Sequence, residues 1–342
     1  TKLHSTSRDT GPMYCYTEFM NKKTCLAGVH LLWPVVLLAL FAIVPPPSNG
    51  ALQQEAASEP IKLVDISSVE PDLRLPALTS GTPLSAGTRF QEVLPTLQTT
   101  DIHHVVYLPT DWTPTGSYPV IVEYVGNGNY RNSFGDVCTG KVTDGKLGYG
   151  ISGGEKYIWV CLPFINKEQT KNAITWWGNS PDYNPRPTVD YCKQVVPWIC
   201  QQYGGDPTRV VLAGFSRGAI ACNFIGLYDD DISKLWRGFV ACSHYDGVSN
   251  FGLTQGDRKS AQQRLNRLGQ RPQFICAETL PGKQSIESTR SYLQSTGIAG
   301  KFTFQSTGFR NHNDSWILRP SSSRKLLRTW VEQLVQQELL NH

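Results

Sequence analysis

The sequence has no concentration of charge of either sign. Its 32 Lys and Arg residues nearly balance 28 Asp and Glu residues, which gives a formal net charge of +4, and the basic residues are scattered along the chain. No basic run alternates with aromatic residues, which is the pattern expected of a nucleic-acid-binding surface. The composition therefore argues against a nucleic-acid partner, while its 40% of hydrophobic residues can build a sizeable core.

Metal-binding motifs are missing as well. Seven of the nine cysteines follow residue 50, and no two of them have the short spacing of a zinc site. Their odd number argues against a complete disulfide framework, although one bridge would be compatible with it. We therefore expect no metal and no organic cofactor. The seven are Cys138, Cys161, Cys192, Cys200, Cys222, Cys242 and Cys276.

The chain has no uninterrupted apolar run of the roughly 18 residues that a membrane span needs. Its most apolar segment, 31–44, follows Met20 and the basic pair Lys22 and Lys23, and it precedes small residues up to Gly50. This order predicts a secretory signal over about 20–50, cleaved after Gly50, and a secreted or periplasmic (cell-envelope) protein. The alternative is an uncleaved membrane anchor. Residues 1–19 have no folding pattern.

Beyond the signal segment the pattern predicts one domain. Residues 51–100 are rich in Pro, Ser, Thr and Ala, without a lasting hydrophobic period, which predicts an irregular lead-in or linker. From 101 to 342 apolar strands alternate with helical patterns, which predicts an α/β domain whose mainly parallel central sheet has helices on both faces. Predicted strands cover 102–108, 119–125, 157–163, 210–213, 238–242, 273–277 and 302–305. Predicted helices cover 188–203, 219–228, 261–268, 286–295 and 323–340.

A Gly-x-Ser-x-Gly motif follows the fourth predicted strand. It reads Gly214-Phe215-Ser216-Arg217-Gly218 and leads directly into a predicted helix. The two glycines leave room for a sharp strand-to-helix turn, which exposes the serine hydroxyl beside the N–H groups of the helix N-terminus. A plain turn is the alternative, but the strand and helix on either side favour a nucleophilic Ser216.

A nucleophilic serine needs an imidazole to take its proton. Five of the seven histidines lie near the termini or before the second half of the sheet, namely His4, His30, His103, His104 and His342. The remaining two are His244 and His312. Because His312 lies in the loop after the last predicted strand, we expect it to be the general base rather than a surface histidine.

These features resemble the α/β-hydrolase superfamily, in particular its secreted esterase, lipase and depolymerase-like members. The resemblance covers about residues 100–340. It rests on the Ser216 pentapeptide and on Asn311-His312-Asn313-Asp314, which stand where this superfamily has its nucleophile and its histidine. It implies that the oxyanion hole uses the N–H of Arg217 and a second N–H, from Asn127 or Gly128, in the loop after an earlier strand. An ordinary turn is the alternative for that loop.

The third member of the triad is less clear from the sequence. The family usually has an aspartate after the strand at 273–277, but here Glu278 is the only carboxylate at that position. A glutamate can orient the histidine as an aspartate does. Asp246, which follows the preceding strand, is the alternative acid, and Asp257 is a more distant third.

Two aromatic segments are candidates for substrate binding. Trp176 and Trp177 follow a central strand, and His244 and Tyr245 follow another, so that all four side chains are expected near the serine. The alternative is that the tryptophans are core residues that hold a long loop.

The sequence thus predicts a serine hydrolase, most specifically a carboxylic-ester hydrolase that forms an acyl-enzyme on small-molecule or polymeric esters. A peptidase or acyltransferase with the same triad is the first alternative, because the serine turn does not define the acceptor. A catalytically silent binding protein of the same fold is the second, and a missing acid would favour it. Membrane contact is expected only if the N-terminal segment is retained.

Overall fold

The structure is a computed structural model that describes residues 64–80, 84–279 and 285–337. The predicted signal segment over 20–50, and with it the anchor alternative, lies outside the described residues. Within the described ranges, no helix combines the length and the apolar character needed to cross a bilayer.

The described chain contains thirteen strands. Nine of them form one sheet with the order β1-β2-β3-β7-β4-β10-β11-β12-β13, and two short hairpins, β5–β6 and β8–β9, lie outside it. The strands are β1 (Leu78–Thr79), β2 (Arg89–Glu92), β3 (His104–Tyr107), β4 (Tyr118–Tyr124), β5 (Tyr130–Arg131), β6 (Val137–Cys138), β7 (Ile158–Leu162), β8 (Phe164–Ile165), β9 (Asn172–Ala173), β10 (Gly205–Phe215), β11 (Gly238–Cys242), β12 (Gln273–Ala277) and β13 (Phe302–Ser306).

The large sheet is mainly parallel. Only β3 runs opposite to its neighbours, β2 and β7, while every pair from β7 across to β13 is parallel. In the central register Ala213 of β10 lies between Glu123 of β4 and Val240 of β11. The predicted strands are therefore present, and their carboxyl ends meet at one edge of the sheet.

Seven α-helices connect these strands in the described chain. The long ones correspond to the helical patterns of the sequence, and the predicted mainly parallel sheet with helices is confirmed. The helices are α1 (Leu147–Ser152), α2 (Arg186–Tyr203), α3 (Arg217–Phe224), α4 (Asp230–Ser233), α5 (Arg258–Leu265), α6 (Ile286–Thr296) and α7 (Ser322–Gln336).

Two hydrophobic cores lie on opposite faces of the sheet because side chains alternate along each strand. On β10, Val210 and Leu212 belong to the core that contains residues of α2 and α3, whereas Val211 and Ala213 belong to the core that contains residues of α1 and α7. Both faces of the central strands are therefore buried. This explains why these strands are continuous apolar runs rather than alternating ones.

The segment before residue 101 differs from its prediction as an irregular lead-in. β1 and β2 belong to the large sheet, and Arg89 at the start of β2 is buried. Further upstream, the N–H of Ile66 donates to Asn311 Oδ1 at 2.8 Å, and Arg324 pairs with Asp72. The folded domain therefore begins before residue 101. A strand of two to four residues paired at the sheet edge is too short to produce a clear hydrophobic period.

All seven cysteines of the described residues are free thiols, and six of them are buried. The single bridge that the sequence allowed is therefore not formed among them. Buried cysteines of this kind pack as small apolar side chains.

Candidate active site

The serine of the Gly-x-Ser-x-Gly motif stands between β10 and α3 in a strained backbone conformation. Ser216 has φ +54° and ψ −115°, a backbone conformation that residues other than glycine rarely adopt. The two glycines have no space for a side chain: a Cβ on Gly214 would collide with the Gly218 carbonyl oxygen, and one on Gly218 would collide with that of Tyr124. The glycine spacing is therefore a steric requirement of the turn.

His312 lies in the loop between β13 and α7 and contacts the serine. Its Nε2 is 3.0 Å from Ser216 Oγ, which is hydrogen-bonding distance. The imidazole packs against two aromatic rings, with the Phe215 ring centroid at 4.8 Å and that of Tyr130 at 5.0 Å. These contacts restrict the orientation of the imidazole ring.

Glu278 follows β12 directly and contacts the other side of the same imidazole. Its Oε1 lies 2.8 Å from His312 Nδ1. Burial opposes ionisation of Glu278, but the hydrogen bond and the charge of His312 outweigh it, so that the pKa of this carboxyl lies below its ordinary value. A carboxylate at Nδ1 favours the tautomer that leaves Nε2 free to accept the serine proton.

The two alternative acids have other partners. Asp246 forms a bidentate ion pair with Arg264, whose Nε and Nη2 lie 2.8 and 2.9 Å from the two carboxylate oxygens, and both side chains are buried. Asp257 caps α5 by accepting the N–H of Ser260. The structure therefore brings Glu278, and neither aspartate, to His312.

The loop after β4 contains the two candidates for the second oxyanion donor. The N–H of Gly128 already donates to the Ile174 carbonyl at 2.7 Å, so it is not available. The N–H of Asn127 has no acceptor among the described residues. The other candidate donor is the N–H of Arg217. Arg217 is the first residue of α3, and a helix leaves its first N–H groups without an intrahelical partner. The N–H of Gly128 therefore holds the loop to residue 174, and Asn127 stays the candidate for the second donor.

Only two of the four predicted substrate-binding residues border the site. Trp177 is fully buried, with its ring centroid 4.7 Å from that of Phe224, and Tyr245 is fully buried with its hydroxyl 2.5 Å from Gln273 Oε1. Both belong to the hydrophobic core on the α2 and α3 face of the sheet. Trp176 and His244 are partly exposed.

His244 lies directly against His312. The two ring centroids are 5.0 Å apart, and burial, with the neighbouring charge of His312, lowers the pKa of His244 to about 3. His244 is therefore neutral at physiological pH. It forms an uncharged wall beside the proposed base.

Three further residues border this site, and the sequence did not predict any of them. Phe251 lies 6.0 Å from the His244 ring and 5.3 Å from the Trp176 ring, and Tyr130 contacts His312. The third is Asp136, whose partners include residues of distant segments. A single sequence has no local pattern for these contacts.

Asp136 is buried and holds the histidine loop through amide groups. Its Oδ1 accepts from the side chains of Asn311 and Asn313, each at 3.1 Å, and its Oδ2 accepts from Asn132 at 2.8 Å. Because Asn311 and Asn313 flank His312, this carboxylate anchors the loop on both sides of the imidazole.

No protein-family model matches the chain, and no curated protein sequence does. Its backbone is similar to solved structures of hydrolases. A ferulic acid esterase from Anaeromyces mucronatus is 15% identical, with a TM-score of 0.46 over 80% of this chain and 98% of that one. An S-formylglutathione hydrolase from Agrobacterium tumefaciens is 13% identical, with a TM-score of 0.48 over 74% and 97%.

Larger proteins are matched in part. The chain spans 59% of the length of a thermostable esterase and 33% of that of Porphyromonas gingivalis dipeptidyl peptidase 4, at 15% and 16% identity and TM-scores of 0.43 and 0.45. The fold assignment rests on the chain's own features rather than on these likenesses. The order of the strands, the serine at the turn after β10 and the histidine after the last strand show that this chain has the α/β-hydrolase fold.

Proposed function

We propose that the protein is a serine hydrolase that cleaves carboxylic esters through an acyl-enzyme on Ser216. The observation that carries this proposal is the continuous hydrogen-bonded series Ser216 Oγ, His312 Nε2, His312 Nδ1 and Glu278 Oε1, with distances of 3.0 and 2.8 Å. This is the arrangement that activates a serine hydroxyl.

The reaction follows from these positions. Ser216 Oγ attacks the ester carbonyl carbon while its proton passes to His312 Nε2. The tetrahedral intermediate then loses the alcohol, which takes that proton from His312 and leaves the acyl group on Ser216. Water attacks the acyl carbon while one of its protons passes to His312 Nε2, and His312 then returns this proton to Ser216 Oγ as the acid product leaves. Glu278 stabilises the imidazolium formed in both halves of the reaction.

The negative oxygen of each intermediate is assigned to two N–H groups, those of Arg217 and Asn127. Removal of one such donor lowers kcat by about 10²–10³ in well-studied serine enzymes. The two N–H groups should therefore account for a large part of the rate.

An apolar substrate wall is proposed along His244, Phe251 and Trp176. Ring contacts of 5.0, 6.0 and 5.3 Å connect His312 to His244, His244 to Phe251, and Phe251 to Trp176. Phe251 is 38% exposed, so that its ring is accessible to a bound group. Such a wall would accept an acyl or aryl group. Replacement of Phe251 by Ala should therefore raise KM for long-chain or aryl esters more than for acetate esters.

The silent-binding alternative loses its main support, because it depended on a missing acid. The peptidase and acyltransferase alternatives share the same triad, and substrate comparison separates them. Hydrolysis of p-nitrophenyl esters without detectable cleavage of the matching anilides would argue against a peptidase, because a peptidase cleaves both. Acyl transfer to added alcohols should stay below hydrolysis in water.

The test uses Ser216→Ala with Ser117→Ala as its matched control. Ser117 is exposed and precedes β4, at the opposite edge of the sheet from the site. A fluorophosphonate probe should label the unmodified protein and Ser117→Ala but not Ser216→Ala, and p-nitrophenyl butyrate turnover should follow the same pattern. Equal turnover in Ser216→Ala would refute the proposal.

We also propose that the protein acts outside the cytoplasm, as a secreted or envelope protein. The support is the order of basic, apolar and small residues over 20–50. Mass spectrometry of the mature protein should find an N-terminus near Ala51. Recovery of peptides from 31–44 in a membrane fraction would favour the anchor instead.

A further inference from the structure

Arg217 carries a buried positive charge that no acidic residue of the described chain compensates. Its side chain is 1% exposed, and its guanidinium carbon lies 4.0 Å from the centroid of the Phe164 ring. Among the described residues it forms no ion pair, and its Nε and Nη1 have no hydrogen-bond partner. Arg264 is nearly as buried and also lies over a ring, but it is paired with Asp246.

An uncompensated charge of this kind is unfavourable for folding. Replacement by an apolar side chain of similar volume is often neutral or stabilising in such positions. A residue that breaks this rule beside a candidate active site is expected to serve the site rather than the fold.

Within the described residues, the guanidinium forms one hydrogen bond, and it goes to the loop after β4 that contains Asn127. Arg217 Nη2 donates to the Gly126 carbonyl oxygen at 2.9 Å. That oxygen belongs to the same peptide group as the N–H of Asn127, and this peptide bond is trans. In a planar trans peptide the C=O and N–H point in opposite directions. The guanidinium therefore sets the direction of the Asn127 N–H by holding the other end of its peptide group.

The next peptide group is held as well. The N–H of Gly128 donates to the Ile174 carbonyl at 2.7 Å. The two peptide groups that flank Asn127 are thus fixed independently, one through its oxygen by Arg217 and the other through its nitrogen by residue 174. Asn127 cannot turn its N–H away unless one of these bonds breaks.

We propose that the Arg217 side chain is a positioning residue that aims and polarises the Asn127 N–H toward the oxyanion of the tetrahedral intermediate. This inference rests on the proposed serine hydrolase function. A cation at the carbonyl oxygen draws electron density from the peptide group and makes its N–H a stronger donor. Arg217 would thereby contribute to both halves of the oxyanion hole, through its own N–H and through its side chain.

The experiment compares Arg217→Met and Arg217→Lys with Arg328→Met. Arg328 is the matched control, because its guanidinium also donates to a glycine carbonyl, that of Gly150, but in the contact between α1 and α7. For each variant we would measure kcat and KM for an ester and for its thionoester, in which sulfur replaces the carbonyl oxygen, together with the thermal midpoint of unfolding.

Arg217→Met should lower kcat for the ester on the order of 10- to 100-fold, with little change in KM, since the loss is smaller than that of a whole oxyanion donor. Sulfur accepts hydrogen bonds poorly, so the preference for the ester over the thionoester should shrink in this variant. Its thermal midpoint should not fall. For Arg217→Lys, which keeps the charge, kcat and the ester preference should lie between those of Arg217→Met and those of the unmodified protein. Arg328→Met should keep the full ester preference.

A folded Arg217→Met or Arg217→Lys variant with unchanged kcat and unchanged ester preference would overturn the inference. A lower kcat accompanied by a lower thermal midpoint and an unchanged ester preference would also overturn it, because that result indicates a structural role. Failure of the proposed function would look different: Ser216→Ala would then retain turnover.

Discussion

At the scale of single residues, the roles of Glu278 and Asp246 are separated by their partners. Both follow parallel strands at the same edge of the sheet, so that either could have reached His312. Glu278 contacts the imidazole, whereas both oxygens of Asp246 are engaged by Arg264. The two carboxylates should therefore respond differently to the same chemical change.

We predict that Glu278→Gln lowers kcat by about 10³–10⁴ with little effect on folding, because the amide favours the wrong histidine tautomer. Asp246→Asn should leave the chemical step intact but lower the free energy of unfolding by about 3 kcal/mol, since it leaves Arg264 as an uncompensated buried charge. Steady-state kinetics and denaturant unfolding of both variants test this. The reverse pattern would transfer the orienting role to Asp246.

His244 gives a prediction about pH. Its pKa falls from an ordinary 6.5 to about 3 in the folded protein, mainly through burial. Between these values the unfolded chain binds the proton and the folded chain does not, so protonation favours unfolding. The contribution of His244 to stability is complete above about pH 6.5 and is lost as the pH falls toward 3.

The measurement is the free energy of unfolding between about pH 7 and pH 4 for the unmodified protein and for His244→Phe. The variant should lose less stability over this window, because it has no proton to take up on unfolding. If the free energy of unfolding changes equally with pH in the two proteins, His244 does not contribute to this pH dependence.

At the scale of elements, the β5–β6 hairpin supports the histidine loop. Tyr130 of β5 packs its ring against His312, and Asp136, just before β6, binds the two asparagines that flank it. The hairpin lies outside the large sheet and adds little to the two cores. Its contacts indicate that it holds the loop that contains His312.

We predict that Asp136→Ala lowers kcat at least about 10-fold, because a misplaced general base loses much of a contribution that is typically 10²–10⁴. The loss should disappear in a His312→Ala background, where there is no base left to position. Asp72→Ala, which breaks an ion pair with Arg324, is the control and should leave kcat unchanged. An additional loss in the His312→Ala background would indicate that Asp136 acts on the fold in general.

At the scale of the whole molecule, the residues before 101 complete the domain. They add β1 and β2 to the sheet, and their upstream part contacts the segment around His312 through Ile66 and Asn311 and through Asp65 and Arg310. These two contacts join residues 245 positions apart.

We predict that a chain beginning at residue 64 unfolds cooperatively and hydrolyses esters, whereas one beginning at residue 101 does neither. The shorter chain loses the strand pairing of β3 with β2 and exposes the edge of the sheet. Circular dichroism during thermal unfolding, together with p-nitrophenyl butyrate turnover, distinguishes the two. If both chains unfold cooperatively and hydrolyse the ester, β1 and β2 are dispensable.

The sequence by itself determined the features that depend on local physics. The continuous apolar runs at 210–213 and 238–242 predict buried parallel strands. The two glycines around Ser216 predict the sharp turn, because backbone sterics act over a few residues. The loop position of His312 follows from chain order. The strands within 129–138 and 78–92 could not be predicted, because very short strands leave almost no periodic pattern.

Only the tertiary structure decided the partners of side chains that are far apart in sequence. Glu278, and not Asp246, contacts His312, which is 34 residues away in the sequence. Asp136 accepts a hydrogen bond from Asn311, which is 175 residues away. The choice of Asn127 over Gly128 depends on one carbonyl, that of Ile174. Hydrogen bonds are directional and reach only about 3 Å, so they are set by how the packed elements align. Hydrophobic burial is non-directional, and for this reason the fold could be predicted more fully than the site.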